Sequence, residues 1–298
     1  MHRPTLLDFL MLIALAAIWG SSFLIIKLAL VSVPPATIAA ARIVIAAVVL
    51  WALAAARGHR LAGDRRTVTI LFLMGTIGTM LPFTLINWGE QRIDSGLTAI
   101  LMSVVPLATL GLAHFTTADE PFTLRKLIGV ICGFIGLVIL VGGVSGADLM
   151  ADLLAEAAII VAALCYALIA ILARKLAEVP VEVVTAGTMV TASLVAVPAS
   201  LIFDRPWALS PSLSSMLAIL TLGLVSTALS GLVLFGLVKR AGVTFVSLNN
   251  YLVPVIGMAL GALLLGETVA PERLAGLGFI LGGIALTAFD ARHRQITR

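Results

Sequence analysis

The chain of 298 residues is 61% hydrophobic and only 11% charged, with a mean hydropathy of +1.16. Those values exclude a soluble globular domain and a disordered chain, and they require an integral membrane protein. The formal net charge of +4 does not imply nucleic acid as a partner, because the basic residues sit between apolar stretches, where they encode orientation.

A bilayer core of about 30 Å needs roughly 20 apolar residues per crossing helix, and runs of that order recur along the whole chain. The first, residues 9–26, follows Arg3 as a signal peptide would, but it is longer than a signal-peptide core and has Trp19-Gly20-Ser21-Ser22 inside it. It is therefore read as helix one. The second, residues 34–56, is interrupted only by Arg42, and the polar segment after it, residues 57–66, has to cap two helices. Residues 67–89 form the third run, with Pro82 inside it and Asn87-Trp88 at its end; residues 95–118 form the fourth, with Ser103, Pro106 and His114. The fifth, residues 127–147, carries Gly129, Gly133 and Gly136 and ends in a glycine-rich segment before Asp148. The sixth, residues 157–173, contains Cys165 and Tyr166, and the seventh, residues 183–203, contains Pro198. Residues 206–238 form the eighth, with Ser226, Thr227 and Ser230; residues 241–266 form the ninth, with Asn249, Asn250, Tyr251 and Pro254. The tenth, residues 274–289, holds Gly276, Gly278, Gly282 and Gly283, whose small-residue spacing suits packing against the fifth helix or a second subunit. The expected fold is an all-α integral membrane protein of ten transmembrane helices.

Shifting the second half back by 147 residues superposes Arg174 on Lys27, Glu267 on Glu120, Gly276 on Gly129 and Gly283 on Gly136. The chain reads as one unit used twice, residues 1–146 and residues 147–298. Each unit has five helices, an odd number, so the second copy enters the membrane from the opposite side. Two inverted five-helix repeats are an arrangement used by transporters. With the N-terminus inside, the inner segments collect Arg57, Arg60, Arg125, Lys126, Lys239 and Arg240, among others, and the outer segments keep only Arg92, Arg205 and Arg273. Both termini are expected in the cytoplasm.

At Ala17-Ile18-Trp19-Gly20-Ser21-Ser22-Phe23, through Pro35 to Arg42, and again from Pro254 to Gly266-Glu267 and Gly276, the chain resembles the EamA repeat of the drug/metabolite transporter superfamily. The resemblance covers the whole chain. Within that superfamily it is similar to the YddG-type exporters of aromatic and other amino acids, which implies an exporter of the bacterial inner (plasma) membrane. The two copies differ at places: Asp119-Glu120 stands opposite Gly266-Glu267, and Met189 opposite Arg42.

Carriers of this design hold substrate near the bilayer midplane, between the halves. The polar and aromatic groups at that depth are Trp19, Ser22, Thr79, Ser103, Tyr166, Ser226, Asn249, Asn250 and Tyr251. The 147-residue shift pairs Trp19 with Tyr166, Thr79 with Ser226, and Ser103 with Asn250. One reading makes them a substrate site, with aromatic walls and with amides and hydroxyls for an amino and a carboxylate group. The other has each Ser or Thr bonding back to its own helix and each Asn bridging neighbours. Pro106 and Pro254, at equivalent depth, are expected to kink helices four and nine. Arg42 is left open between a structural bond to a neighbour and attraction of a substrate carboxylate; Lys27 is expected to snorkel.

All acidic residues fall at helix ends or in loops. No carboxylate stands ready for a central proton relay, so uniport by alternating access is expected, with a proton-coupled exporter of drugs or cationic metabolites as the alternative. His2, His59, His114 and His293 are too dispersed for an intramembrane enzyme, and Cys132 and Cys165 for a metal site or disulfide framework. No cofactor is expected; the partners are a small-molecule substrate and the lipid bilayer, and the protein is a monomer or homodimer.

Overall fold

Backbone satisfaction decides where helices begin in this chain. In the computed structural model, which describes residues 5–59, 64–116, 124–142 and 149–296, helix α1 (Leu6–Leu30) starts in a reciprocal cap. The Asp8 amide donates to the Thr5 side chain and the Thr5 amide to the Asp8 carboxylate. Helix α2 (Pro35–Ala56) opens on a proline, whose missing N–H would be unused there anyway. Helix α3 (Arg65–Gly89) starts at Asp64, which accepts from the Thr67 amide at 2.9 Å, and passes through a π-helical segment, Thr76–Met80. Helix α4 comes in two pieces, Ser95–Met102 and Val105–Thr116. Helix α5 spans Leu124–Gly142, and α6 spans Leu149–Ala173, with a 3-10 turn, Arg174–Leu176, continuing it. Helix α7 is Val181–Phe203, and α8 is Leu213–Ala241 with a longer π-helical segment, Leu222–Leu229. Helix α9 also has two pieces, Val243–Val246 and Asn249–Leu265, and α10 is Pro271–Ile296.

No strand occurs among the described residues. Among the described residues six helices (α1, α2, α3, α6 with its 3-10 turn, α7 and α8) are long and apolar enough to cross a membrane, and shorter apolar stretches lie in α4, α5 and α9. The residue 146/147 boundary, Asp119 and Glu120, and the side chains of His114 and His293 lie outside what is described.

Three expected elements differ in detail. The run 206–238 does not become helix from its start: Arg205 is left-handed, Pro206–Ala208 forms one 3-10 turn, and α8 begins only after Pro211, with Ser212 accepting from the Ser215 amide. Prolines so close together cannot supply the amides that a helix needs. Helix α4 breaks at Ser103 and Val104, whose amides bond three residues back to Ile100 and Leu101. Pro106, two residues on, lacks the N–H that would bond the Met102 carbonyl, so the break comes just before it. In α9 the interruption lies at Ser247 and Leu248, well ahead of Pro254, which sits inside a continuing helix.

Helix packing is balanced between the two halves. Helix α1 packs on α8 and α9, and α6 packs on α3 and α4; α2 packs on α8, and α7 on α3. Three seams join like to like: α2 with α7, α4 with α9, and α5 with α10. The α2–α7 seam is tied at both ends. At one, Thr37 donates its amide and hydroxyl to Asp204; at the other, Arg57 pairs with Glu182 at 2.7 Å.

The apolar core is unequal along the bundle. Around the C-terminal end of α1 one continuous cluster joins Ile26, Ile38, Ile93, Leu97, Ile159 and Ile219. At the other end the core divides into separate groups: Leu12, Leu237, Phe245 and Val246 form one, and Ile70, Leu71, Met74 and Leu176 another.

The α5–α10 seam depends on backbone approach. A Cβ on Gly136 would lie 2.7 Å from the Gly276 carbonyl and 2.9 Å from Ile280, whereas one on Gly278 meets nothing within 4 Å. Gly136→Val should therefore cost about 1–3 kcal/mol through overpacking and lower the apparent melting temperature of the purified protein in detergent. Gly278→Ala should leave it unchanged.

Candidate functional site

The helix irregularities gather around one space. A cavity of about 440 Å³ lies at mid-bundle, walled by residues of α1, α2, α3, α4, α6, α7, α8 and α9. Of the sequence-derived candidates, Trp19 and Ser22 line it from α1, Thr79 from α3, Ser103 from the α4 break and Tyr166 from α6. Ser226 lines it from α8, and Asn249, Asn250 and Pro254 from α9. Tyr251 is not among the wall residues; it packs, half-buried, against the main apolar cluster. Pro106 is not in the wall either, although its neighbour Val105 is.

The wall's hydroxyls divide into two classes. Ser22 donates to the Ile18 carbonyl at 2.8 Å, Ser103 to Ile100, and Ser230 to Ser226 at 2.7 Å. Those side chains bond their own helix, as such residues commonly do in apolar surroundings. The π-helical segments change the register of this bonding: Thr79 reaches the Met74 carbonyl and Thr227 the Leu222 carbonyl, each five residues back. A π segment inserts a residue into the ladder and offsets carbonyls from their usual donors. The 147-residue shift places Thr76–Met80 on residues 223–227, inside the second π segment.

The second class is unbonded. Ser226 is 3% exposed and Asn249 is 2% exposed, yet neither the Ser226 hydroxyl nor either polar atom of the Asn249 amide has a hydrogen-bond partner. Buried amides without partners carry a desolvation penalty of about 1–3 kcal/mol, which a polar ligand or water in the cavity would relieve.

Beyond the candidate list, Arg42, Phe83 and Asn87 line the same space. Arg42 is buried; its Nε donates to the Thr227 hydroxyl at 2.7 Å, and its guanidinium carbon stands 3.9 Å above the Phe83 ring. Thr227 thus accepts from a cation and donates to a displaced carbonyl at once. Among the described residues Arg42 has no carboxylate in a salt bridge. Its signal in the sequence is that it is the lone charge in an apolar run; the run itself says nothing of which way it faces. Asn87 donates to the Pro35 carbonyl at 3.0 Å and leaves its own oxygen unbonded. Among the described residues no Asp or Glu lines the cavity. The described residues hold no cluster of His, Cys, Asp or Glu fit for a metal ion.

Two connections hold the wall in place. Gly266 ends α9 in the left-handed conformation (φ 68°), which lets the Glu267 amide reach back to the Gly261 carbonyl at 3.2 Å. The turn delivers the Glu267 carboxylate to the start of α4, where it accepts from the Ser95 amide and hydroxyl and from the Gly96 amide, at 2.7–2.8 Å. A carboxylate at a helix N-terminus meets both the free amides and the positive end of the dipole. At the other end of the bundle, Arg240 of α8 bonds Asp8 of α1 at 2.7 Å.

The profile of the EamA-like transporter family matches residues 7–142 and again residues 153–289, and the chain belongs to that family. The uncharacterized transporter YoaV of Bacillus subtilis is 22% identical over 96% of this chain and 98% of its own length. The uncharacterized inner membrane transporter YedA of Escherichia coli is 27% identical, over 92% and 88%. An S-adenosylmethionine/S-adenosylhomocysteine transporter of Chlamydia trachomatis is also 27% identical, over 91% and 86%. One solved crystal structure shares the fold with a TM-score of 0.70, covering 96% of this chain and 98% of its own, at 20% identity. The chain is thus a multi-pass membrane transporter, and its family and relatives are transporters rather than enzymes.

Thr227→Val deletes the hydroxyl that joins Arg42 to the π segment, leaving a cationic N–H without its partner. It should lower stability by about 1–3 kcal/mol. Ser226→Ala, whose hydroxyl bonds nothing, should leave the apparent melting temperature in detergent unchanged. Equal melting of the two variants would contradict this assignment.

Proposed function

We propose that this transporter exports small zwitterionic metabolites across the inner membrane by alternating access, neutral and aromatic amino acids among them. The observation that carries the reading is the meeting, in one acid-free cavity, of a buried guanidinium, an unbonded amide and aromatic side chains. Arg42 suits a substrate carboxylate, which a guanidinium holds through charge-assisted hydrogen bonds. The Asn249 amide oxygen and Ser226 hydroxyl can accept from an ammonium group, and Trp19, Tyr166 and Phe83 offer flat apolar surfaces for a side chain. The volume is within the range of small-ligand sites, about 300–1,000 Å³.

The family unit matched twice, the balanced packing of the halves and the coincident π segments support two five-helix repeats of opposite orientation. Positive residues on the inner segments favour cytoplasmic termini. On that orientation the continuous apolar cluster closes the outer end, the divided core marks the cytoplasmic end, and the form described is closed outward. A drug or cationic-metabolite exporter is disfavoured, since a wall that holds Arg42 and no acid repels cations. Uniport rests on the lack of an acid at mid-depth. Glu90 weakens that premise, because it is a fully buried carboxyl one turn beyond the lining Asn87.

Counterflow in proteoliposomes tests the substrate class with labelled amino acids, S-adenosylmethionine and a cationic dye, the second included because a relative is named for it. Zwitterions should exchange and the dye should not. Arg42→Gln and Asn249→Ala should each reduce exchange about tenfold or more, as expected for a lost charge-assisted or buried hydrogen bond of 1.5–3 kcal/mol. Trp19→Ala and Asn250→Ala should impair it without loss of membrane insertion. Preference for the dye, or full exchange by all four variants, would overturn the reading.

A further inference from the structure

Glu90 is an ionisable group that the substrate site does not use. It follows the last residue of α3, its side chain is 0% exposed, and neither carboxyl oxygen has a hydrogen-bond partner. Asn87, three residues earlier, lines the cavity and also has an unbonded oxygen. Glu90 therefore stands one turn beyond the cavity wall, at the end of α3 from which the chain runs on through Ile93 to Leu97, both members of the continuous apolar cluster that also holds Val33 and Ile38.

Its charged surroundings come from several elements. Lys27 on α1 and Arg42 on α2 act on it as cations, and Glu267, after α9, acts as an anion. Glu267 is already committed to the α4 N-terminus, and Asp94, ahead of α4, is paired with Arg273 at 2.6 Å. Arg92, two residues on, is a further cation of the same connection. On α6, which packs against α3, the acid is Glu156, itself 1% exposed and unbonded.

Burial raises the Glu90 pKa well above the usual carboxylate range; Lys27 lowers it, Glu267 raises it and Arg42 lowers it. A carboxylate buried without donors is costly, so the neutral acid is the form suited to the closed end. Hydration of the same group, with Lys27 and Arg42 near, suits the anion.

We propose that Glu90 is a proton-binding site linked to the opening of the closed end. It holds a proton while the cluster seals over it and releases that proton to water when the cluster parts. The carboxyl O–H bond breaks, water takes the proton, and the reverse occurs on closing; no bond of the substrate changes. The inference rests on alternating access and adds to it a coupling to pH. Its sign follows from linkage: the closed form has the higher proton affinity, so acid favours closing and rising pH favours opening. One proton changes that equilibrium by at most about tenfold per pH unit.

The test needs no substrate. Val33, 2% exposed within the cluster, is replaced in a Val33→Cys variant that also carries Cys132→Ala and Cys165→Ala. Purified in detergent, it is labelled with a hydrophilic maleimide across a pH series, each rate divided by that of the denatured protein to remove the thiol's own titration. The normalised rate should climb with pH, approaching tenfold per unit at its steepest. Adding Glu90→Gln should abolish the slope and hold the rate at its acid value. Labelling that occurs but is flat with pH, or a slope that survives Glu90→Gln, overturns the proton site while leaving alternating access standing. No labelling at any pH overturns both. Should Glu90→Gln not fold, Glu90→Asp must displace the profile along the pH axis, and an undisplaced profile counts against the site. In the protein with native Glu90, the infrared band of a protonated carboxyl must also fade over the pH range in which labelling rises.

Discussion

Hydrocarbon supplies no hydrogen-bond partners, so every amide and carbonyl that leaves a regular helix inside a membrane has to be satisfied within the protein. The freed groups of this chain are concentrated around its cavity. The α4 break is closed by tight turns at Ser103 and Val104, the π segments by Thr79 and Thr227, and the start of α4 by Glu267. A side chain that repairs the backbone is thereby fixed in direction. Thr227 serves a displaced carbonyl and in doing so presents its oxygen to Arg42. The irregular backbone thus positions the candidate groups, which is why the breaks and the cavity wall share one place.

The seams constrain how such a bundle can move. Helices α2 and α7 are tied at both ends, and α5 and α10 approach closely at Gly136 and Gly276. Side chains locked by close packing are bistable rather than freely deformable. The alternating-access rearrangement proposed above would then run between the α1, α8 and α9 group and the α3, α4 and α6 group, whose apolar contacts are continuous at one end and divided at the other. Glu267 crosses from the α9–α10 connection to α4 at the end where the core is continuous, and Arg240 joins α8 to α1 within one group at the other. The bonds between the groups therefore lie mainly where the core is continuous.

Hydropathy and the 147-residue shift made depth legible. Trp19, Tyr166, Thr79, Ser226, Ser103 and Asn250, paired by that shift, share one cavity wall. Azimuth was much less legible, because helices such as α1 and α2 are apolar nearly all round and carry no strong amphipathic signal of which face turns inward. Tyr251, adjacent to Asn250 but turned into the core, shows the consequence. Arg42 and Glu90 escaped a firm reading for the same reason: a charge near a helix end or in an apolar run can face lipid headgroups or the interior, and only the packed neighbours decide. The π segments have no composition signal at all; hydroxyls five residues from the carbonyls they serve become meaningful only once the ladder is seen to slip.

The electrostatics of the wall then limit what can occupy it. Arg42 is stabilised by the Thr227 hydroxyl and the face of Phe83, both neutral groups, so among the described residues its charge is balanced by no fixed anion in direct contact. A cation–π contact is worth about 2 kcal/mol when desolvated, less than the cost of holding an unpaired charge away from water. The cavity is therefore most stable when it is wet or when it holds an anionic group, and drying it without one is opposed by Arg42 itself. A substrate bearing a carboxylate removes that opposition, whereas an apolar or cationic molecule of the same size does not. If access to the cavity alternates as proposed, an anionic group in it eases that change, because among the described residues Arg42 is held by neutral groups.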